Sequence, residues 1–248
     1  MAITEKSYIG KGIVYIKDRS TGGFRFLANV ESLTQSFETE EKSIPNNTAA
    51  GGGKWDSLTR ITAARASAAM YDLSAENLAL ATNGSVSAIA ATPIVDEVLT
   101  ATALGEIVPT AKMIDVATAP VVTDNAGTTT YTVTTDYTVS PAGITPAVGG
   151  TMTPATAFKV DYTPVAGSAI EMLTAAAKEY TLMVDGLNEA DSGKPVRITM
   201  HRAKPAAASE ISYIGDDFAT LPVDFELLSD STITTAGKSK YAKIELAA

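Results

Sequence analysis

Few residues in this chain have the type and spacing that catalysis or metal binding requires. The one histidine, His201, lies in the alternating run Pro195–Arg202 and falls on the polar side of that run. Because no second histidine or cysteine can join it, a structural role is favoured over a catalytic or ligand role. Cysteine is absent, which excludes thiol catalysis, zinc–thiolate sites and a fold held by disulfides.

Two groups of carboxylates are candidates for metal or acid–base chemistry. Asp216 and Asp217 follow Gly215, a pattern typical of a solvated turn. The run D-G-L-N-E-A-D at 185–191 departs from the spacing of a calcium loop and fits a polar hairpin turn. No G-x-S-x-G nucleophile elbow occurs. The sequence therefore predicts a protein that is not an enzyme and that uses no metal or cofactor.

The G-G-G-K motif at 51–54 invites interpretation as a phosphate-binding loop. That pattern needs glycine where Thr48 stands and Ser or Thr where Trp55 stands, so it is not met. The polar stretch Gln35–Trp55 contains Pro45 and has no periodicity, which predicts a long exposed loop. A lone tryptophan is most often a core residue, but beside an exposed loop it can also anchor an interface.

Period-two alternation predicts a mainly β protein whose strands position these loops. Alanines make Ser57–Tyr71 ambiguous, and we assign it as a strand. A helix is predicted over Asp72–Thr82, with Ser74 or Asp72 as its cap and Asn83-Gly84 at its end. The remaining predicted strands, with turns at Asp18–Gly23 and Gly186–Lys194, are 8–17, 24–33, Ala169–Thr174, Tyr180–Asp185, Pro195–Arg202, Leu221–Leu228 and Tyr241–Leu246.

A change of composition predicts two domains. Residues 113–165 are rich in threonine, poor in charge and divided by turn signals, which predicts a small inserted β-sandwich. Residues 1–112 and 166–248 then form one discontinuous core domain.

Charge and hydropathy limit the classes of protein to consider. The formal net charge is −9 over 248 residues, with basic ends and an acidic middle. This balance argues against a sequence-specific DNA-binding protein, whose affinity depends on neutralising phosphates. No segment has the pattern of a signal peptide or the ~20 apolar residues of a membrane span. We therefore expect a protein folded in a reducing cytoplasm, without a membrane partner. Basic ends that meet an acidic surface on the next copy would give head-to-tail assembly.

Several segments resemble the tail tube (major tail) proteins of long-tailed bacteriophages. The similarity is carried by S-L-T-Q-S-F-E-T-E, the glycine-rich stretch and Y-D-L-S-A-E-N-L-A-L-A-T-N-G in the first 85 residues. It is also carried by V-D-G-L-N-E-A-D-S-G-K-P-V-R-I-T-M-H-R and I-G-D-D-F-A-T-L-P-V-D-F-E-L-L-S-D within 168–230.

The resemblance implies a tail-tube-type β-sandwich with one flanking helix. Six copies would form a ring with an inner β-barrel, and stacked rings would form a hollow tube that conducts double-stranded DNA from capsid to host. Other partners would be the tape measure, tail terminator and baseplate or tip proteins, and the site of action would be the virion tail, assembled in the host cytoplasm. Residues 113–165 look like an Ig-like decoration.

The resemblance also suggests interface residues. By analogy, Gln35–Trp55 docks on the neighbouring ring and the terminal arms bridge rings. The implied contact residues are Phe37, Glu38, Glu40, Glu41, Lys42, Ile44, Pro45, Lys54 and Trp55. Candidate acidic groups facing the channel, where they would repel DNA, are Glu179, Asp185 and Glu226.

Two alternatives stay open at this point. A tube subunit of a contractile injection device shares the same fold. A surface adhesin or carbohydrate-binding β-protein would use the threonine-rich module, although the missing signal peptide and the lack of an aromatic cluster count against it.

Overall fold

The computed structural model describes residues 7–48 and 50–247. The first six residues, which belong to the predicted N-terminal arm, lie outside this range. The strands are β1 (Gly10–Asp18), β2 (Arg25–Ala28), β3 (Val30–Pro45), β4 (Lys54–Met70), β5 (Ser85–Ile89), β6 (Ile94–Thr100), β7 (Val108–Pro109), β8 (Val121–Asp124), β9 (Tyr137–Ser140), β10 (Gly143–Pro146), β11 (Ala157–Tyr162), β12 (Gly167–Glu171), β13 (Tyr180–Asn188), β14 (Lys194–Pro205), β15 (Leu221–Leu227) and β16 (Ala242–Leu246).

The predicted mainly β fold class is confirmed, and the described residues contain one α-helix, α1 (Ala75–Thr82). No helix among them is long and apolar enough to cross a membrane. The chain divides into two compact units, one formed by residues 1–86 with 170–248 and the other by residues 87–169. Both ends of the chain thus belong to one unit, which we call the main unit, and residues 87–169 form the second unit.

An eight-stranded antiparallel sheet makes up most of the main unit. Its order is β2-β1-β13-β14-β15-β4-β3. Strand β16 also pairs with β14, at residues 196–200, whereas β15 pairs with residues 203–205 of the same strand. Only Asn29 separates β2 from β3, so the sheet curls until its two ends meet at this residue. The alternating side chains on the inner face then form one core, which includes Ile16, Leu182, Met200 and Phe225.

Strands β13, β14 and β15 confirm the alternation that the sequence shows. Val223, Phe225 and Leu227 are buried on one side of β15, with exposed acidic residues between them. Strand β13 continues to Asn188, so the turn is shorter than the predicted Gly186–Lys194 and contains a 3-10 helix, Glu189–Asp191. Gly12 and Gly186 are register partners in β1 and β13, and a Cβ at Gly12 would lie 2.5 Å from the Cα of Gly186.

The helix begins later than the predicted Asp72. Ser74 occupies the N-cap position, but its side chain makes no capping hydrogen bond. Asp72 instead accepts hydrogen bonds from the Ser74 N–H and the Asn77 amide, which holds the turn before the helix. Asn77 is fully buried and also donates to the Leu27 carbonyl, so the helix is fixed to β2. Asn83 ends the helix in the left-handed conformation, as the sequence predicts.

The second unit contains two three-stranded sheets, β7-β10-β9 and β6-β11-β8. Side chains from both sheets form one buried cluster, including Val108, Tyr137 and Ile144 from the first and Val122 and Phe158 from the second. The unit begins before the predicted residue 113, because β6 (Ile94–Thr100) pairs with β11 and so belongs to it. It ends at residue 169 rather than at the predicted 165.

Two predictions about the main sheet are wrong. Gln35–Trp55 is not a loop: β3 runs to Pro45 and β4 begins at Lys54, so only the turn between these strands lacks strand structure. The segment Ala169–Thr174 does not join the main sheet, because β12 (Gly167–Glu171) pairs with β5 instead. Strand propensity is a local property, whereas the partner of a strand depends on the tertiary fold.

Candidate subunit interface

Strands β3 and β4 form a long hairpin with two different halves. Their register runs from Val30 opposite Met70 to Pro45 opposite Lys54. In the inner half, β4 residues 65–70 also pair with β15 and carry buried alanines and Met70. In the outer half, residues 39–45 and 54–61 pair only with each other among the described residues, and both of their faces are exposed. We call this part the outer hairpin.

The turn at the tip of the outer hairpin is held by local hydrogen bonds. The Asn46 N–H donates to the Gly53 carbonyl at 2.8 Å, and the Asn46 side chain accepts from the N–H and hydroxyl of Thr48. Gly51, Gly52 and Gly53 all have positive φ, a conformation that glycine adopts at low cost. The three glycines therefore form a turn between strands, which explains a motif that resembles a phosphate loop only in composition.

The outer hairpin and the hairpin residues next to it expose large apolar side chains, which is unusual for a ribbon with water on both sides. Trp55 is 65% exposed and Ile44 is 59% exposed. Strand alternation and register place Phe37 and Ile61 on one face, and Ile44 and Leu58 on the other. Both faces therefore carry apolar groups among charged and polar neighbours.

All nine predicted contact residues lie on the β3–β4 hairpin and are exposed, but they divide between its two faces. Glu38, Glu40 and Lys42 share a face with Ile44, while Glu41 lies on the face of Phe37. Pro45 and Lys54 are opposite each other at the tip, and Lys54 forms an ion pair with Glu41. Sequence reasoning did not single out Leu58 and Ile61, which lie in the segment assigned as a strand and are both exposed.

Strands β2, β3 and β16 of the main unit each have an edge that pairs with no other strand among the described residues. Strand β3 pairs only with β4, and β16 pairs only with β14. Unpaired backbone N–H and C=O groups on an edge strand form a ready template for a strand of another chain.

The three candidate acidic residues each have a basic neighbour. The Arg202 guanidinium donates two hydrogen bonds to the Glu179 carboxylate, at 2.8 and 2.6 Å, and these bonds lower the pKa of Glu179. Asp185 lies opposite Arg197 in the sheet register. Glu226 lies between Lys204 and Arg65. A basic neighbour beside each carboxylate partly offsets its negative charge, which would weaken its repulsion of a nucleic acid.

A partly buried ion pair fixes the segment between β15 and β16. Arg19 donates to Asp230 at 2.8 Å and to the His201 carbonyl at 2.6 Å. Asp230 is 5% exposed and also accepts from the Thr232 N–H and hydroxyl. The hydrogen bond from Arg19 is the main reason that the pKa of Asp230 falls to about 2. This contact holds the chain just before it enters β16.

The candidate chemical groups of the sequence are not brought together. His201 is half-buried in β14, where its backbone N–H donates to the Tyr241 carbonyl. Asp216 and Asp217 lie on an exposed loop, and Asp191 forms an ion pair with Lys194. Within residues 7–48 and 50–247, no group of three or more His, Cys, Asp or Glu residues could hold a metal ion.

Comparison with known proteins places the chain in a family whose function is not described. No curated protein matches the sequence. A family model, described as Protein of unknown function UCP028589, matches residues 7–245. This match extends over nearly the whole chain and includes both units, and the chain therefore belongs to the family described as Protein of unknown function UCP028589.

Proposed function

We propose that this chain is a major tail tube subunit of a long-tailed bacteriophage, which assembles as stacked hexameric rings into a hollow tube for DNA. The observation that carries the proposal is the outer hairpin, which is paired and extended yet exposes apolar side chains on both faces. Such a ribbon gains little from burial within its own subunit, so a partner surface accounts best for its apolar residues.

The free strand edges support a second copy as the partner. An exposed edge of β3 on one copy can pair with an exposed edge on the next, such as that of β16. Because these edges belong to different strands, the contact is heterologous, and repeated rotation about one axis closes a ring. The sheet would then continue from subunit to subunit as an inner barrel.

The second unit would be the Ig-like decoration of the tube. Its two three-stranded sheets enclose a hydrophobic cluster of their own, so it can be an independent module inserted between parts of the main unit. The tape measure, terminator and baseplate or tip proteins would contact the ends of the tube, and the site of action would be the virion.

Electron microscopy of the purified protein tests the proposal directly. Concentrated wild-type protein should form hollow tubes or rings in negative stain. The triple substitution Ile44→Ser, Trp55→Ser and Leu58→Ser should give folded protein without tubes, because it removes exposed apolar contacts.

The matched control is Val95→Ser with Val148→Ser, which changes exposed valines of the second unit and should leave the tubes unchanged. Wild-type protein that stays monomeric at every concentration would contradict the proposal. Normal tubes from the triple variant would contradict the role of the outer hairpin in assembly.

A further inference from the structure

An apolar groove opens at one end of the main unit. Its volume is about 310 Å³, and Asp191 and Lys194 are among its polar lining residues. The apolar lining includes Tyr8, Pro195, Val196, Ile198, Ile244 and Leu246. Val196 is opposite Leu246 and Ile198 is opposite Ile244, so these side chains point to the same face of the sheet. That face is the inner one, which the curled sheet covers elsewhere but leaves open here.

The groove continues along β16 toward the β3–β4 hairpin. A second depression of about 180 Å³ shares Ile244 and is lined by Phe37, Ile61 and Tyr241. Strand β16 has no partner on its outer edge within the described residues. An apolar channel beside a free strand edge can accept an extended or looped segment that places apolar side chains in it.

A matching apolar projection belongs to the same unit. The loop of residues 206–220 between β14 and β15 contains Tyr213, Ile214 and Phe218. Ile214 is 96% exposed and Phe218 is 92% exposed. A loop that presents two large apolar side chains so fully to water is typical of a protein contact site. We call residues 213–218 the apolar loop.

The groove and the base of the apolar loop lie at opposite ends of strand β14. The groove includes residues from Lys194 to Ile198 at the start of this strand, whereas the loop follows Pro205 at its end. The strand has 12 residues, which corresponds to roughly 36–40 Å at the usual rise per residue. A projection and a groove separated in this way favour contact between one copy and the next.

We propose that the apolar loop of one copy inserts Phe218 and Ile214 into the groove beside β16 of a second copy. The contact is head-to-tail, so it repeats from one copy to the next rather than closing a dimer. This proposal depends on the proposed function in one respect, which is that the partner is a second copy of the chain. It assigns a loop and a groove of the main unit to the contact between successive layers, distinct from the pairing of strand edges within a layer.

Cysteine cross-linking tests the contact without interference, since the natural chain contains no cysteine. Equimolar F218C and L246C proteins, mixed under mild oxidation, should give a disulfide-linked heterodimer on a non-reducing gel. V148C replaces F218C as the control, because Val148 is also exposed but lies in the second unit. We expect no cross-link above background from V148C with L246C.

A separate assembly measurement uses Ile214→Ser with Phe218→Ser. This variant loses two apolar side chains that the proposed contact would bury. The concentration needed for stacking, measured by sedimentation velocity, should therefore rise at least about tenfold, while the circular dichroism spectrum stays unchanged.

Three outcomes would overturn the contact. These are a heterodimer yield no higher than that of the control, unchanged stacking by the serine variant, and a cross-link that forms only after residues 1–6 are removed. The last result would assign the groove to the chain's own N-terminal segment. The gel reports the contact whether or not tubes form, so its failure is separable from failure of the tube proposal.

Discussion

One strand, β4, passes through two environments that differ in almost every respect. Residues 65–70 have neighbouring strands on both edges and bury Ala66, Ala68 and Met70 in the core. In the described part of the chain, residues 54–61 have a neighbouring strand on one edge only, and they expose every side chain. The same backbone conformation is therefore supported by burial in one half and only by pairing with β3 in the other.

The difference between the halves separates stability from assembly. A two-stranded ribbon with water on both faces is marginally stable by itself, so the outer hairpin is expected to open more readily than the core. Its apolar side chains add no burial to the isolated subunit. Substitutions in the inner half should therefore change the free energy of unfolding, whereas those in the outer half should change association.

The largest contrast is expected between two phenylalanines. Phe225 is 1% exposed and lies opposite Ala66 of the inner half, so Phe225→Ala should lower the free energy of unfolding by about 3–5 kcal/mol. Phe37 lies on β3 next to the outer hairpin and is 58% exposed, so Phe37→Ala should change the free energy of unfolding by less than about 1 kcal/mol. Urea denaturation followed by circular dichroism checks both. Similar losses from the two variants would contradict the division of the hairpin.

A close approach of two strands gives the next contrast. Gly12→Ala would place a Cβ 2.5 Å from the Cα of Gly186 and 2.6 Å from the Asp185 carbonyl oxygen. Strands β1 and β13 must then separate, and we expect a loss of about 1–3 kcal/mol. Gly23→Ala is the control, because a Cβ there meets no atom within 4 Å. Equal midpoints of thermal unfolding for the two variants would show that the sheet adapts at Gly12.

Acid should weaken the contact that holds the segment before β16. The pKa of Asp230 is about 2 in the folded protein, below its ordinary value of 3.8. A carboxyl group with a lowered pKa in the folded state contributes stability above its unfolded pKa and loses it as the pH falls through the folded pKa. We therefore expect Asp230→Asn to cost about 1–3 kcal/mol at neutral pH, with the difference from wild type shrinking between pH 4 and pH 2.

The matched control for this profile is Asp216→Asn, which removes an exposed carboxylate from the loop of residues 206–220. Its curve of stability against pH should follow that of wild type. A difference between wild type and Asp230→Asn that stayed constant down to pH 2 would show that ionisation of Asp230 is not what stabilises the segment.

Alternation made the strands around the core of the main unit predictable, because one face of each of these strands is buried. Val223, Phe225 and Leu227 show this in β15, and Leu182 and Met200 show it in the paired strands before it. The outer hairpin shows no such alternation of apolar and polar residues, for the opposite reason. Both of its faces meet water, so the run T-E-E-K-S carries no period of two and resembles a loop.

The sequence also could not predict which strands pair with each other. Strand β12 was predicted correctly as a strand near residue 169, but its partner β5 depends on where the chain leaves and re-enters the main unit. Strand β6 carries Asp96 and Glu97 and comes before the threonine-rich, charge-poor segment, so composition placed the boundary too late. Leu58 and Ile61 were missed because an apolar residue in a strand usually faces a core.

The smallest effect is expected at the tip of the outer hairpin. Lys54 and Glu41 form an ion pair in which both side chains are largely exposed, and exposed pairs contribute between zero and about 1 kcal/mol. Glu41→Gln should therefore leave global unfolding unchanged within about 0.5 kcal/mol. It should increase hydrogen exchange only at the amides of residues 39–44 and 54–61, because these residues gain no support from the core. Faster exchange in β15 as well would mean that the two halves of β4 unfold together, and the contrast between them would then have to be abandoned.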